Sequence, residues 1–118
     1  MSKAISNSVN SHLDGNEPVV KEIYDTLIEN LRLFGPVLEE PKKTSIHLVN
    51  VTAFAGIATR RNAIVLTIKS NRDLESTRIH KSEQTSARRF HHEVKLTKRS
   101  DIDDELNDWL REGYALSG

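Results

Sequence analysis

The sequence predicts a single α+β domain with a helix near each end and a mainly antiparallel sheet of four to five strands between them. Three observations support this prediction. Apolar residues recur with the period of a helix after Pro18 and again after Ser100, whereas the segment between them contains short runs with the period of a strand. The connections between most of these runs are short, which favours hairpins. We therefore expect both helices to pack on one face of the sheet.

The domain is predicted to span residues 17–118, after a disordered tail over residues 1–16. The tail is rich in Ser and Asn and has no sustained hydrophobic period. Pro18 suits the first turn of the N-terminal helix, and Gly35-Pro36 ends it. The face of this helix that we expect to be buried consists of Val20, Ile23, Tyr24, Leu27, Leu31 and Phe34.

The first predicted strands lie between residues 37 and 57. A short strand ends at Pro41, and Ile46 and Leu48 alternate with polar residues in the next. A run over residues 51–57 follows, in which Gly56 indicates a bulge or a close approach of another backbone.

The second half of the predicted sheet contains its centre. Residues 59–62 are typical of a hairpin turn, and residues 63–68 are apolar on both faces, as in a central strand. Residues 70–87 are polar and irregular, which predicts a long loop. In the last strand the buried positions are Phe90, His92, Val94 and Leu96. Apolar side chains remain on the second face, so either the long loop or a second subunit must cover it, and we favour a homodimer.

Ser100 and Asp103 have the Ser-x-x-Asp spacing of a capping box and predict the start of the C-terminal helix. Its apolar face consists of Ile102, Leu106, Trp109, Leu110 and Tyr114. The aspartates around this start lack the glycine and the later glutamate of a calcium loop, so capping explains them.

Composition excludes several classes of function. The chain has no cysteine, which rules out disulfides, thiolate chemistry and zinc ribbons, and it has no apolar stretch long enough to span a bilayer. The N-terminus lacks the apolar core of a signal peptide, so we expect a cytoplasmic protein. The histidines lack the spacing of a helical metal pair, and no motif of a phosphate loop or hydrolase occurs. We expect no metal and no cofactor, and the absence of these motifs favours a non-enzymatic role without deciding it.

The net charge of zero results from segregated charges. Residues 1–41 carry three basic and seven acidic residues, a net charge of −4, and residues 100–118 carry one and six, a net charge of −5. Residues 42–99 carry thirteen basic and four acidic residues, a net charge of +9. This pattern indicates an anionic partner rather than a particular fold.

Seven residues of the basic segment are candidates for binding nucleic acid or another polyanion: Lys42, Lys43, Arg60, Arg61, Arg88, Arg89 and His91. The lysine pair can instead protect a strand edge, and the arginine pair at residues 60–61 can be an ordinary exposed turn. Arginine binds phosphate in a bidentate manner, and a histidine contact would make binding tighter on acidification.

Two other functions remain open. In the first, the basic segment meets the acidic helices of another copy, or a separate acidic protein, in an assembly. In the second, His80, Glu83 and His91 form the acid–base cluster of a small hydrolase or transferase, which requires that they converge in one pocket.

The order of several short motifs resembles that of a bacterial family of domains of unknown function that is often labelled "predicted transport protein". The motifs are Glu40-Pro41-Lys42-Lys43-Thr44, Ala53-Phe54-Ala55, Arg60-Arg61-Asn62, His80-Lys81-Ser82-Glu83, Arg88-Arg89-Phe90-His91, Asp101-Ile102-Asp103 and Trp109-Leu110-Arg111-Glu112-Gly113-Tyr114. Gly113 stands where the resemblance leads us to expect alanine. Related domains occur fused to nuclease-like modules, so the resemblance implies an accessory binding role near nucleic acid and no catalytic residues.

Overall fold

The structure is a computed structural model that describes residues 8–118. In chain order the elements are α1 (Val9–Leu13), α2 (Pro18–Arg32), β1 (Leu38–Pro41), β2 (Ile46–Val49), β3 (Ala53–Thr59), β4 (Ile64–Ser70), β5 (Ile79–Ser86), β6 (Arg89–Leu96), a 3-10 turn (Arg99–Asp101) and α3 (Asp104–Leu116). Within these residues no helix is both long enough and apolar enough to cross a membrane.

The described residues form one antiparallel sheet of six strands in the order β1-β2-β3-β4-β6-β5. The prediction of four to five strands is therefore wrong, because residues 79–86 of the predicted loop over residues 70–87 form the additional strand β5. The reason is that β5 is an edge strand whose residues after Ile79 are all exposed. Such a strand has no buried face, so its sequence has no apolar alternation.

The core lies between the helices and alternate residues of the strands. Helices α2 and α3 contact each other, and both contribute to one cluster with the sheet, as expected for two helices packed on the same face. The members from the strands include Ile46, Leu48, Ile57, Ile64, Leu66, Ile68, Val94 and Leu96. The central position predicted for residues 63–68 is confirmed, since β4 lies between β3 and β6 and its alternate residues are fully buried.

Helix α1 lies within the predicted disordered tail, of which residues 1–7 are outside the described residues. Ser8 and Ser11 form a reciprocal capping box, with the Ser11 amide donating to Ser8 Oγ at 3.0 Å. His12 Nε2 lies 2.7 Å from the Lys42 carbonyl oxygen, and Thr59 Oγ1 donates to the His12 carbonyl at 2.7 Å. These contacts order residues that the local composition assigns to a tail.

The N-cap of α3 is Asp103, not Ser100 as the capping-box spacing predicted. The Leu106 amide donates to the Asp103 carboxylate at 3.0 Å, and this bond holds the pKa of Asp103 below its ordinary value. Arg78 stabilises the same cap: it donates to the Asp103 carboxylate at 2.7 Å and to the Asp101 carbonyl. Ser100 instead belongs to the 3-10 turn before the helix.

Two glycines set the approach of α3 to its neighbours. A Cβ at Gly113 would lie only 2.9 Å from the Lys69 carbonyl oxygen, so glycine here lets α3 lie close to β4. Gly35 follows α2 with a φ of +151° and lies against the Tyr114 hydroxyl. By contrast, Gly56 has no bulge: it pairs regularly with His47 and Thr67, and the nearby register shift falls between Leu48 and Val49.

Candidate binding face of the sheet

The side chains that alternate with the core residues form a second face of the sheet, which we call the open face. Its centre consists of His47, Gly56, Thr67, Lys69 and His91, all of them half-buried. The antiparallel register brings them together: His47 pairs with Gly56, Gly56 with Thr67, and Lys69 with His91. The open face is therefore a product of pairing across four strands.

A depression of about 390 Å³ lies in the open face. Its lining residues are Ser45, His47, Ala53, Ala55, Gly56, Ile57, Ala58, Thr67, Lys69 and His91, and none of these is acidic. The floor is low because alanine and glycine predominate in the β3 part of the lining. Polar groups lie at the sides, with His47 on β2 and His91 on β6, three strand spacings or roughly 14 Å apart.

Lys69 gives the depression a cationic side, and His91 lies next to it on β6. The pKa of His91 is lowered, chiefly because the imidazole is partly buried and also because Lys69 is close; Glu83, opposite His91 on β5, acts in the other direction. A bound anion would favour the protonated imidazole. Anion binding at this place would therefore be linked to protonation of His91.

Of the seven candidate residues predicted from the sequence, His91 lines the depression and the other six lie at the two ends of the sheet. The turn β1–β2 carries Lys42 and Lys43, and the turn β3–β4 carries Arg60 and Arg61, at the same end because β1 and β3 run in the same direction. Arg88 lies in the turn β5–β6 at the opposite end, and Arg89 begins β6 there. The length of β4, seven residues or roughly 23 Å, separates the two groups.

Intramolecular carboxylates neutralise some of these cations. Arg61 lies 3.9 Å from Glu17, and Lys42 lies 3.5 Å from Glu40. Lys43, Arg60, Arg88 and Arg89 have no ion pair within residues 8–118. These four cations lie in turns or at a strand end, and Lys69 of the open face likewise has no ion pair within the described residues.

Sequence reasoning selected His91 but missed His47, Thr67 and Lys69. Each of these three alternates with buried residues in its strand, and this alternation was a signal that they face away from the core. That they adjoin one depression follows only from the strand order and register.

The three candidate residues of a hydrolase do not form one cluster. His80 Nε2 lies 3.1 Å from the Glu93 carboxylate, whereas Glu83 lies opposite His91 in the β5–β6 register. Of the three, only His91 lines the depression. Within residues 8–118 there is also no group of three or more His, Cys, Asp or Glu residues placed to hold a metal ion.

His92, the next residue of β6, points to the other side and is fully buried, as the alternation predicted. Its Nε2 lies 3.3 Å from the Leu74 amide and 3.3 Å from the Arg72 carbonyl oxygen, and its Nδ1 lies 2.8 Å from Ser82 Oγ. This imidazole joins the loop before β5, and β5 itself, to the core. Its role is structural.

Comparison with protein families found a match over residues 9–117 to a family model described as a domain of unknown function, DUF5655. The match confirms the resemblance to a family of unknown function, while the label of a transport protein receives no support from it. Neither the comparison with curated proteins nor that with solved structures found a match.

Proposed function

Because the chain belongs to the DUF5655 family, whose function is unknown, we propose a function from the open face alone: a non-enzymatic module that binds single-stranded nucleic acid. The observation that carries this proposal is the uncovered depression, which has no acidic lining residue and adjoins Lys69, His47 and His91. A transport activity is not part of the proposal.

The positions of the cations suit an extended polyanion. A strand that follows β4 would meet Lys43 and Arg60 at one end of the sheet, and Lys69 and Arg89 toward the other end. The span of roughly 23 Å matches a site of a few nucleotides, at the lower end of the range for single-strand binding folds. Affinity would come mainly from phosphate contacts and would fall steeply with salt.

The shape of the depression favours a single strand over a duplex. Unpaired bases are flat, and the low floor at Gly56 and Ala58 leaves room for a ring to lie against the sheet. The imidazoles of His47 and His91 are planar groups on which a base can stack. A duplex keeps its bases inside and would meet only the cations at the ends.

The test is a fluorescence-anisotropy titration with short single-stranded DNA and RNA, and with the matching duplex, at low and moderate salt. In the Gly56→Val variant the new side chain covers the floor of the depression. We expect the fold to remain intact, since a Cβ at Gly56 meets nothing closer than the Thr67 Cβ at 4.0 Å, and the affinity to fall at least tenfold. Lys69→Gln should weaken binding to oligonucleotides of all sequences. It should also reduce by about one the slope of the logarithm of the binding constant against the logarithm of the salt concentration.

Lys21→Gln is the matched control, because Lys21 is an exposed lysine of α2 that pairs with Asp25 and lies on a helix. The Lys21→Gln substitution should leave the affinity for single-stranded nucleic acid nearly unchanged. Undetectable binding by the wild-type protein at low salt contradicts the proposal, and so does wild-type affinity in Gly56→Val. Equal affinity for the duplex would contradict the choice of single strands.

A further inference from the structure

The two edges of the sheet differ in how they are protected. The strand β1 has four residues, ends at Pro41, which cannot donate a ladder hydrogen bond, and contacts α1. The strand β5 has eight residues, contains no proline, and is exposed beyond Ile79. Edge strands of this kind offer a row of backbone donors and acceptors to another strand.

The side chains of β5 are suited to pairing with an identical strand. Over Lys81–Gln84, β5 pairs with β6 in regular register, with shifts on both sides of this stretch. In an antiparallel pair, residues directly opposite each other have the same hydrogen-bonding orientation. In a symmetric pair of β5 strands, one residue of β5 must therefore lie directly opposite the same residue of the second copy. The twofold axis passes through the centre of that residue pair.

We propose that β5 forms an antiparallel pair with β5 of a second copy, with the two Ser82 residues opposite each other. This register places Lys81 of each copy opposite Glu83 of the other, which gives two opposite-charge pairs. A centre at Lys81 or at Glu83 would place like charges opposite each other. A centre at Gln84 would extend the pairing across the register shift that follows this residue.

The side chains agree with a continuous sheet in this arrangement. Lys81 and Glu83 lie on the open face, because they pair with Glu93 and His91 of β6. Ser82 points to the other side, where it contacts His92. The two six-stranded sheets would join edge to edge with their open faces on the same side. The proposed pairing does not depend on whether the open face binds nucleic acid.

The test measures the mass of the full chain in solution by sedimentation, without nucleic acid and over a range of concentrations. We expect a monomer–dimer equilibrium for the wild-type protein. Lys81→Glu and Glu83→Lys each convert two attractive pairs into repulsive ones, so each variant alone should dimerise roughly tenfold or more weakly. An equimolar mixture should recover dimerisation as a heterodimer, because the charges of the two variants are complementary. The double variant K81E/E83K should dimerise like the wild type.

Two controls separate pairing from folding. Lys95→Glu reverses an exposed charge of the open face on the interior strand β6 and should leave the dimer unchanged. Thermal melting of each single variant shows whether it is folded, and recovery in the mixture cannot arise from unfolded chains. A wild-type protein that stays monomeric at all concentrations overturns the proposal, as does a dimer that both single variants preserve or a mixture that fails to recover it.

Discussion

Gly35 lies in the connection between α2 and β1 and is next to Tyr114 of α3. The Gly35→Ala variant therefore tests how these three elements pack together. Its φ of +151° is a conformation that residues with a side chain rarely adopt, and an added Cβ would lie 2.5 Å from the Tyr114 hydroxyl oxygen. That hydroxyl donates to the Pro36 carbonyl at 2.8 Å. Gly35→Ala therefore both strains the backbone and displaces the Tyr114 hydroxyl from its acceptor.

The expected cost follows from these two contributions. The backbone strain costs about 1–3 kcal/mol, from which about 0.5 kcal/mol is regained because alanine restricts the unfolded chain. Loss of the hydrogen bond of Tyr114 adds about 1 kcal/mol. We expect Gly35→Ala to lower the free energy of unfolding by about 2 kcal/mol, and Tyr114→Phe to lower it by about 1 kcal/mol.

A double-mutant cycle separates the backbone strain at residue 35 from the steric clash with the Tyr114 hydroxyl. Tyr114→Phe removes the atom that the new methyl group would meet, so the double variant should be no less stable than Gly35→Ala alone, with a coupling of about 1 kcal/mol. Urea denaturation followed by circular dichroism gives the four free energies. Strictly additive effects, or a Gly35→Ala variant as stable as the wild type, would refute the packing described for Gly35.

Three further variants test two contacts outside the open face, those of Arg78 and Tyr24, and one residue within it, His91. Arg78→Ala removes the donor to the Asp103 cap and should lower the free energy of unfolding by about 1–2 kcal/mol in urea denaturation; no change would show that the cap does not need Arg78. The lowered pKa of His91 means that the unfolded chain binds this proton more readily, so stability should fall as the pH drops below 6.5, and His91→Gln should flatten that part of the profile. Burial, and next the hydrogen bond to Glu39, raise the pKa of Tyr24 far above its ordinary value, so an absorbance titration should reveal a tyrosine that ionises only when the chain unfolds, and Tyr24→Phe should abolish this late step.

Elements with a buried face were predictable from the sequence. Helix α2 and strands β4 and β6 have apolar residues at the period of their secondary structure, because one side of each lies in the core. The strand β5 gave no such signal, since both its faces are exposed and its pairing with β6 decides its structure. Helix α1 is too short for a periodic pattern and depends on contacts such as that of His12 with Lys42.

Only those parts of the candidate site that consist of neighbouring residues in the sequence were predictable. Basic pairs in turns can be recognised from neighbouring residues, and Arg60-Arg61 does lie in the turn between β3 and β4. The depression depends instead on the register of four strands, which places His47 in line with Thr67 through Gly56. No local pattern contains this information, because the paired residues of the depression are up to 22 positions apart along the chain, as Lys69 and His91 are.

The fold divides the basic residues of the segment 42–99 into those that pair with acids and those that have no ion pair. Three arginines of the basic segment pair with acids outside it: Arg61 with Glu17, Arg72 with Glu112, and Arg78 with Asp103 and Glu105. Nine basic residues of the same segment have no ion pair within residues 8–118, namely Lys43, Arg60, Lys69, Lys81, Arg88, Arg89, Lys95, Lys98 and Arg99. The helices therefore neutralise only a minority of the cations, and most of the remainder lie on the open face or in the turns at its ends. The carboxylates of Glu83 and Glu93 lie on the same face, directly opposite His91 and Thr67, so Lys69 on the depression has acidic neighbours while the unpaired arginines lie at the ends of the sheet.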